Sequence, residues 1–234
     1  MTSIDKAVVI VSGGMDSSTL LYYVVKVLKR KVVATLSFYY GQTHAKELDS
    51  AMMIANSISV PNIKVDLSPI MRDFTSALTG KADIPEGHYA QDNMKQTVVP
   101  NRNSIMLSIA VGYAISKDAG EVYFGPHAGD HAIYPDCRKE FVDAFKAAEL
   151  IGNEWTPVIV RAPFLDMTKG DIVKMGLKLR VPYVKTWTCY KGGDIACGKC
   201  GTCVERLEAF AKAGRTDPIR YADRVYWKQV VKQA

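Results

Sequence analysis

The sequence predicts an α/β fold built on a doubly wound, mainly parallel sheet, with a small four-cysteine element toward the C-terminal end. Two observations predict it. Short β-branched apolar runs alternate with segments of helical period, the pattern of parallel strands joined by crossover helices. Four of the five cysteines fall within fifteen residues: Cys189, Cys197, Cys200 and Cys203.

Ala7-Val8-Val9-Ile10-Val11 reads as a first strand, buried on both faces. Ser12-Gly13-Gly14-Met15-Asp16-Ser17-Ser18 follows at once. Its glycines permit backbone that other residues adopt only with strain, and they leave no side chain between main chain and ligand. Ser17 to Tyr23 then starts a helix, whose free N–H groups and positive dipole end face the same hollow. Strand, glycine turn and helix N-terminus together form an anion site suited to a nucleotide's phosphates. A tight turn without ligand is the alternative. The hydroxyls of Ser12, Ser17 and Ser18 and the Asp16 carboxylate, crowded on one turn, weigh against it. Neither G-x-x-x-x-G-K-[ST] nor G-x-G-x-x-G occurs, which excludes Walker-type phosphoryl transfer and dinucleotide binding of that kind.

Lys31 to Tyr40 reads as a second strand ending in Gly41-Gln42-Thr43-His44. Ala45 to Ile58 carries Leu48, Ala51, Met52, Ala55 and Ile58 at helical spacing. Ile63 to Leu67 is a short third strand. Residues 80–97 are polar and aperiodic, either a lid over the site or an inert insertion. Asn103 to Lys117 reads as a helix capped by Asn103, with Ile105, Met106, Ile109 and Tyr113 inward. Glu121 to Gly125 is a fourth strand, Asp136 to Ile151 an amphipathic helix, and Trp155 to Val160 the last strand. Thr168-Lys169-Gly170-Asp171 opens a helix to Leu179 with capping-box spacing. Asp223 to Ala234 carries no readable signal.

At 234 residues, 48% hydrophobic and 23% charged, the chain suits one core or one core with a small appendage. No apolar run approaches the ~18 residues of a membrane span, and the first residues lack a signal peptide's basic and apolar parts. No membrane association is expected, and a cytoplasmic protein is. The net charge of +6 is spread over scattered residues, with Lys26 and Lys29-Arg30-Lys31 at a helix end expected to be solvated. That pattern argues against nucleic acid, and an anionic nucleotide substrate accounts for the positive field.

The cysteines are spaced C-x7-C-x2-C-x2-C, with Gly198 and Gly201 allowing tight turns. Four thiolates so placed suit a tetrahedral zinc at about 2.3 Å per bond, closed and therefore structural. Disulfides are disfavoured in a cytoplasmic setting. Redox chemistry needs a pair, not four. An iron–sulfur cluster takes the same ligands and stays open on spacing alone. Cys137 is either a small buried hydrophobe or a pocket residue, and the polar motif around it favours the pocket. The organisation expected is a nucleotide-binding α/β unit over residues 1–181 with a zinc-binding element, 182–234, packed on it.

The Ser-Gly-Gly-x-Asp-Ser loop resembles that of the pyrophosphate-loop ATPases, the adenine nucleotide α-hydrolase superfamily. Tyr40-Gly41-Gln42, Val99-Pro100-Asn101-Arg102-Asn103, Tyr134-Pro135-Asp136-Cys137-Arg138 and Thr186-Trp187-Thr188-Cys189-Tyr190 follow in order. With the loop and the cysteines, they resemble the successive signatures of the 7-cyano-7-deazaguanine synthase family over residues 6 to about 222. The resemblance implies a Rossmann-like fold, a structural Zn²⁺, a homodimer, and ATP-dependent conversion of 7-carboxy-7-deazaguanine and ammonia to the nitrile.

On that resemblance, Val11, Ser12, Gly13, Gly14, Met15, Asp16, Ser17, Ser18 and Thr19 bind ATP, with the Gly13 and Gly14 amides on the pyrophosphate. Asp16 caps the helix or holds Mg²⁺. Lys169 neutralises charge on the α-phosphate. Arg102 and Arg138 grip the substrate carboxylate. Asp136 accepts from the guanine-like N–H edge, and Cys137 lies in the pocket. A structural ion pair is the competing role for Arg102, Arg138 and Asp136. The chain departs from the family pattern at Asp130-His131-Ala132-Ile133, at Thr43 and at Asn101. The alternatives are an amide synthetase that stops at 7-amido-7-deazaguanine, a tRNA-modifying pyrophosphate-loop enzyme, and a non-catalytic zinc-ribbon module on a nucleotide-binding fold.

Overall fold

A computed structural model describes residues 2–42, 46–80 and 83–232. Thr43, His44 and Ala45, which close the second-strand loop in the sequence, lie outside the described residues. Five strands, β1 (Ser3–Ile10), β2 (Lys31–Tyr39), β3 (Asn62–Asp66), β4 (Ala119–Tyr123) and β5 (Ile159–Arg161), form one sheet in the order β3-β2-β1-β4-β5. Every pairing is parallel. The helices are α1 (Met15–Lys26), α2 (Lys46–Asn56), α3 (Ser68–Met71), α4 (Arg102–Ser116), α5 (Lys139–Gly152), α6 (Lys169–Leu179), α7 (Gly201–Lys212) and α8 (Tyr226–Val231).

Alternation along β1 divides the core. Ala7 and Val9, with Val11 just beyond the strand, pack on one face with α1, α2, α6 and Phe210 of α7. Val8 faces the other layer with Leu36, Val122 and the apolar side of α4. Both faces are covered, as a parallel sheet requires. Because β1 is flanked by β2 on one side and β4 on the other, strand order reverses there. The hollow beyond the carboxyl ends of these strands is where such sheets bind ligands.

Several local expectations are corrected. Helix α1 starts at Met15 with Gly14 at its N-cap, not at Ser17. Asn101, at φ 55°, is the N-cap of α4; Asn103 sits inside the helix and bonds elsewhere. The buried side of α4 is Met106, Leu107, Ala110, Val111 and Ala114, so Ile105, Ile109 and Tyr113 flank the core. In α2, Ile54 is buried where Met52 was expected; Met52 is exposed. Pro135–Cys137 forms a 3-10 turn, and α5 begins only at Lys139. Trp155 is 87% exposed, outside β5. Arg30 is not a solvated cation: its Nε donates to buried Glu121 at 2.7 Å, beside Arg161 Nε at 3.0 Å and the Tyr123 hydroxyl at 2.7 Å.

The α7 helix had no counterpart among the elements read from sequence. It packs against α6, and its Ala209 and Phe210 join the core beside β1.

Candidate active site

Gly13 has φ +87°, and a Cβ there would stand 2.0 Å from the carbonyl oxygen of Glu47. Both backbone angle and space demand glycine, and α2 packs directly on the loop. Ser12 Oγ and Ser17 Oγ lie 3.0 Å apart, while the Gly14 N–H donates to Ser12 Oγ at 3.3 Å. Ser12, Gly14, Met15, Asp16 and Ser17 line a cavity of about 260 Å³. Ser18 and Thr19 do not. Their hydroxyls donate to Gly14 O at 2.6 Å and Met15 O at 2.8 Å, and both residues are fully buried. Gly13 lies behind the wall, its carbonyl accepting from the Trp187 N–H at 3.0 Å.

One end of the cavity is charged. Lys169 Nζ stands 3.4 Å from Asp16 Oδ2 and pairs more closely with Glu205. Burial alone would lower the lysine pKa, but Asp16, Glu205 and Asp130 outweigh it and hold the ammonium charged. Asp16 Oδ1 is buried without a hydrogen-bond partner among the described residues. His127 is fixed by two bonds. Its N–H donates to Asp130 Oδ2 at 3.1 Å, and its Nδ1 accepts from the Gly129 N–H at 3.0 Å. With Nδ1 the acceptor, Nε2 faces Asp130 at 3.5 Å, Glu205 at 3.8 Å and Asp16 at 3.9 Å.

The other end is aromatic. The Arg102 guanidinium lies 5.8 Å from the centroids of both Tyr40 and Tyr134. Among the described residues no carboxylate reaches it within salt-bridge distance. Glu47 also lines this end, and its Oε1 accepts from Gln42 Nε2 at 3.0 Å. Burial pushes the Glu47 carboxyl up, opposed by Gln42 and Arg102. Cys137 is on the wall, where burial raises its thiol pKa well above the ordinary value. It is thus a neutral thiol, accepting from Asn103 Nδ2 at 3.3 Å.

Two expected pocket residues are elsewhere. Asp136 is off the wall and caps α4, its Oδ2 accepting from the Asn103 N–H at 3.2 Å. Arg138 is exposed, with its Nε on the His131 carbonyl at 2.9 Å. Of the departing residues 130–133, Asp130 and Ile133 line the cavity. The aperiodic segment 80–97 supplies a fixed part of the wall through Tyr89, Met94 and Thr97, with the Tyr89 hydroxyl on Glu208 at 2.8 Å.

The ligand atoms of Cys189, Cys197, Cys200 and Cys203 all lie within 4.8 Å of one another. Cys197 and Cys203 sulfurs are 3.9 Å apart. A tetrahedral ion with bonds of about 2.3 Å sets sulfur–sulfur edges of about 3.8 Å. Backbone N–H groups of Cys197, Lys199 and Cys200 point at sulfur, each at 3.3 Å. Cys200 is the N-cap of α7 and Cys203 sits in its first turn. The same turns carry Gly201, Thr202 and Glu205 to the cavity wall, so cysteine cluster and cavity share one helix.

His127, Glu47 and Glu205 were not singled out in the sequence. A signal existed for two of them. His127 follows the fourth strand at the ligand-binding end, and Cys203, Val204, Leu207 and Phe210 repeat at helical spacing around Glu205.

A family model described as queuosine biosynthesis protein QueC matches residues 6–214. A 7-cyano-7-deazaguanine synthase from Archaeoglobus fulgidus is 52% identical over 97% of this chain and 94% of its own length. One from Marinomonas sp. is 52% identical over 93% of this chain and 98% of its own. Among solved structures, the U34-tRNA thiolase NcsA from Methanococcus maripaludis, with its [4Fe–4S] cluster, superposes with a TM-score of 0.51 at 12% identity. That match covers 97% of this chain and 70% of the thiolase, and it bears on the fold alone.

Proposed function

The chain belongs to the QueC family of queuosine biosynthesis proteins, and on that premise we propose how its cavity carries out the family's reaction. That reaction is the ATP-dependent conversion of 7-carboxy-7-deazaguanine and ammonia to 7-cyano-7-deazaguanine by a carbon–nitrogen ligase. One observation carries the assignment of roles. A single cavity has a glycine loop and a buried ammonium at one end, and at the other an aromatic wall around an arginine that has no carboxylate partner among the described residues.

A carboxylate is a poor electrophile because its leaving group is oxide. Attack of the carboxylate oxygen on the α-phosphorus releases pyrophosphate and leaves AMP as the leaving group. Ammonia then displaces AMP to give the amide. A second ATP activates the amide oxygen in the same way, and loss of AMP and of both N–H protons yields the nitrile. Both activations need the same nucleotide geometry, so one site serves twice.

In our reading, residues 11–19 hold the nucleotide, with the Gly13 and Gly14 amides and the α1 N-terminus toward the pyrophosphate. Lys169 neutralises charge developing on the α-phosphate. The unpartnered Asp16 Oδ1 fits a ligand to Mg²⁺, which would draw charge from the phosphates. Arg102 takes the substrate carboxylate, and Cys137 packs against the base. Asp136 and Arg138 act at a distance from substrate, by holding the start of α4 and the 131–138 turn.

The compact sulfur cluster supports one structural zinc; in an iron–sulfur cluster the four thiolates are spread over two or four irons, and as a set they stand farther apart. We further propose that residues 182–234 form an element packed on the 1–181 unit, and that the protein works as a cytoplasmic homodimer. Among the described residues no helix is long and apolar enough to cross a membrane.

The test is mass spectrometry of purified protein with ATP, Mg²⁺, ammonium and 7-carboxy-7-deazaguanine. A nitrile product is expected. An amide that accumulates unconsumed makes the protein an amide synthetase, and untouched substrate overturns the reading.

A further inference from the structure

We propose that Glu47 recognises the donor edge of the substrate base and that Gln42 is the residue positioning it. The proposal rests on the reading that this cavity binds a carboxylated 7-deazaguanine. Such a base has an anionic carboxylate on one side and an edge of N–H donors, N1–H and the exocyclic amino group, on another. The aromatic end of the cavity has the complementary pair, the Arg102 cation and the Glu47 carboxylate.

Geometry makes Glu47 a prepared acceptor. Gln42 Oε1 accepts from the Tyr40 N–H at 2.8 Å, and its Nε2 donates to Phe38 O at 3.2 Å and Glu47 Oε1 at 3.0 Å. A backbone N–H must find an acceptor and a backbone carbonyl a donor, so these bonds fix which way the amide faces. Gln42 is 6% exposed and has no further donor to spend. Among the described residues, Gln42 is the one side chain that bonds the Glu47 carboxylate, and it takes one lone pair of Oε1, leaving the other and Oε2 to accept from a ligand. Contact between α2 and Gly13 sets the distance of Glu47 from the phosphate loop. Asp136, the other carboxylate considered for this edge, is committed to the start of α4. The Tyr40-Gly41-Gln42 signature thereby gains a physical role: it ends β2 and anchors the base-reading carboxylate.

A carboxylate facing two parallel N–H donors makes a planar two-bond contact, as it does with arginine. A buried site built for such donors rejects an analogue that lacks one, because the acceptor is left unpaired.

The experiment compares kcat/KM for 7-carboxy-7-deazaguanine and its 2-desamino analogue in the full-length protein and in E47Q, with KM for ammonium measured alongside. Wild type is expected to prefer the guanine form by about 100-fold, the cost of leaving one buried acceptor unpaired. E47Q should lose about 100-fold on that substrate and less than about tenfold on the analogue, which keeps N1–H alone, so the preference falls at least about tenfold. A preference that survives undiminished in E47Q overturns the proposal, and so does an effect confined to KM for ammonium. If E47Q does not fold, Q42A keeps the carboxylate but frees it, and should relax the preference about tenfold with little change in kcat on the analogue. An unchanged preference in Q42A then overturns it. Wild-type protein that fails to turn over 7-carboxy-7-deazaguanine overturns the functional reading itself, a result distinct from any change in preference.

Discussion

Lys169 Nζ lies 3.4 Å from Asp16 Oδ2, joining the first residue of α6 to the first turn of α1. The two helices meet closely because Gly176 carries no side chain; a Cβ there would strike the Tyr183 hydroxyl at 1.8 Å and Thr19 Oγ1 at 2.9 Å. Glu205, from α7, also pairs with the ammonium. Three segments distant in sequence thus converge on one buried positive charge beside the phosphate loop.

Substituting Lys169 with alanine removes a preorganised cation and leaves Asp16 and Glu205 facing each other unneutralised. Loss of one such stabilising group costs about 10²–10³ in kcat. We expect K169A to lose that much, with KM for 7-carboxy-7-deazaguanine within about threefold of wild type. Chromatographic measurement of AMP release checks it. A KM effect with kcat intact would make Lys169 a binding group.

How much of this was legible in the sequence follows from how local each signal is. The strand, glycine turn and helix start lie within a few residues of one another, so Ser12 to Ser17 were readable directly. The four cysteines were readable because metal ligands cluster in sequence through tight turns. Asp136 and Arg138 share a dense polar motif with Cys137, yet a 3-10 turn at Pro135–Cys137 puts only the thiol on the wall. Sequence adjacency does not reveal which side of a turn faces inward. Glu205 and His127 were missed because their partners, Lys169 and Asp16, come from other segments. Gln42 was visible as part of a motif, but its bond to Glu47 depends on where α2 packs.

Metal analysis should give about one zinc per chain, with no iron and no visible charge-transfer band. Cys200 caps α7, so C200S should lose the ion and loosen the turn that carries Glu205. At free zinc about 100-fold above its Kd, the ion adds about 2.7 kcal/mol to stability. A strong chelator should remove that contribution, read as a lower urea midpoint. Iron in place of zinc would reverse the metal assignment.

Alkaline pH should destabilise the fold in a defined window. Burial pushes the Tyr40 hydroxyl up from 10.0 to about 12, and burial with Glu121 does the same for Tyr123. Below pH 10 both tyrosines are protonated whether the chain is folded or not, and the stability difference is fully present. Above it the unfolded chain loses protons that the native state keeps, so stability falls by roughly 1.4 kcal/mol per pH unit for each group until about pH 12. Urea titrations from pH 8 to 12 should show this decline. Y40F should make the decline shallower by roughly 1.4 kcal/mol per pH unit, the share of one tyrosine among the several buried ones; an unchanged slope would mean that Tyr40 ionises freely.

The last prediction concerns how the C-terminal part is tied to the cavity. Arg206 and Asp217 are both buried and form a two-bond pair, Nε to Oδ2 at 2.7 Å and a terminal nitrogen to Oδ1 at 3.0 Å. The remaining guanidinium donors go to Thr186 Oγ1 at 2.7 Å, Thr188 Oγ1 at 3.1 Å and Tyr183 O at 3.2 Å. Asp217 also accepts from the Tyr221 hydroxyl at 2.6 Å and the Ile219 N–H at 3.3 Å. A buried pair this fully bonded offsets the cost of its desolvation, whereas removing one partner strands the other charge. D217A should therefore cost about 3–5 kcal/mol in urea denaturation. R206K should fail to restore stability, because an ammonium cannot supply five donors in a planar fork. The consequence reaches the site. Arg206 grips both sides of Trp187, whose N–H holds the Gly13 carbonyl. D217A protein that still folds should therefore show a raised KM for ATP, with KM for ammonium unchanged. Equal stability of D217A and wild type would mean that α7 packing alone holds this segment in place.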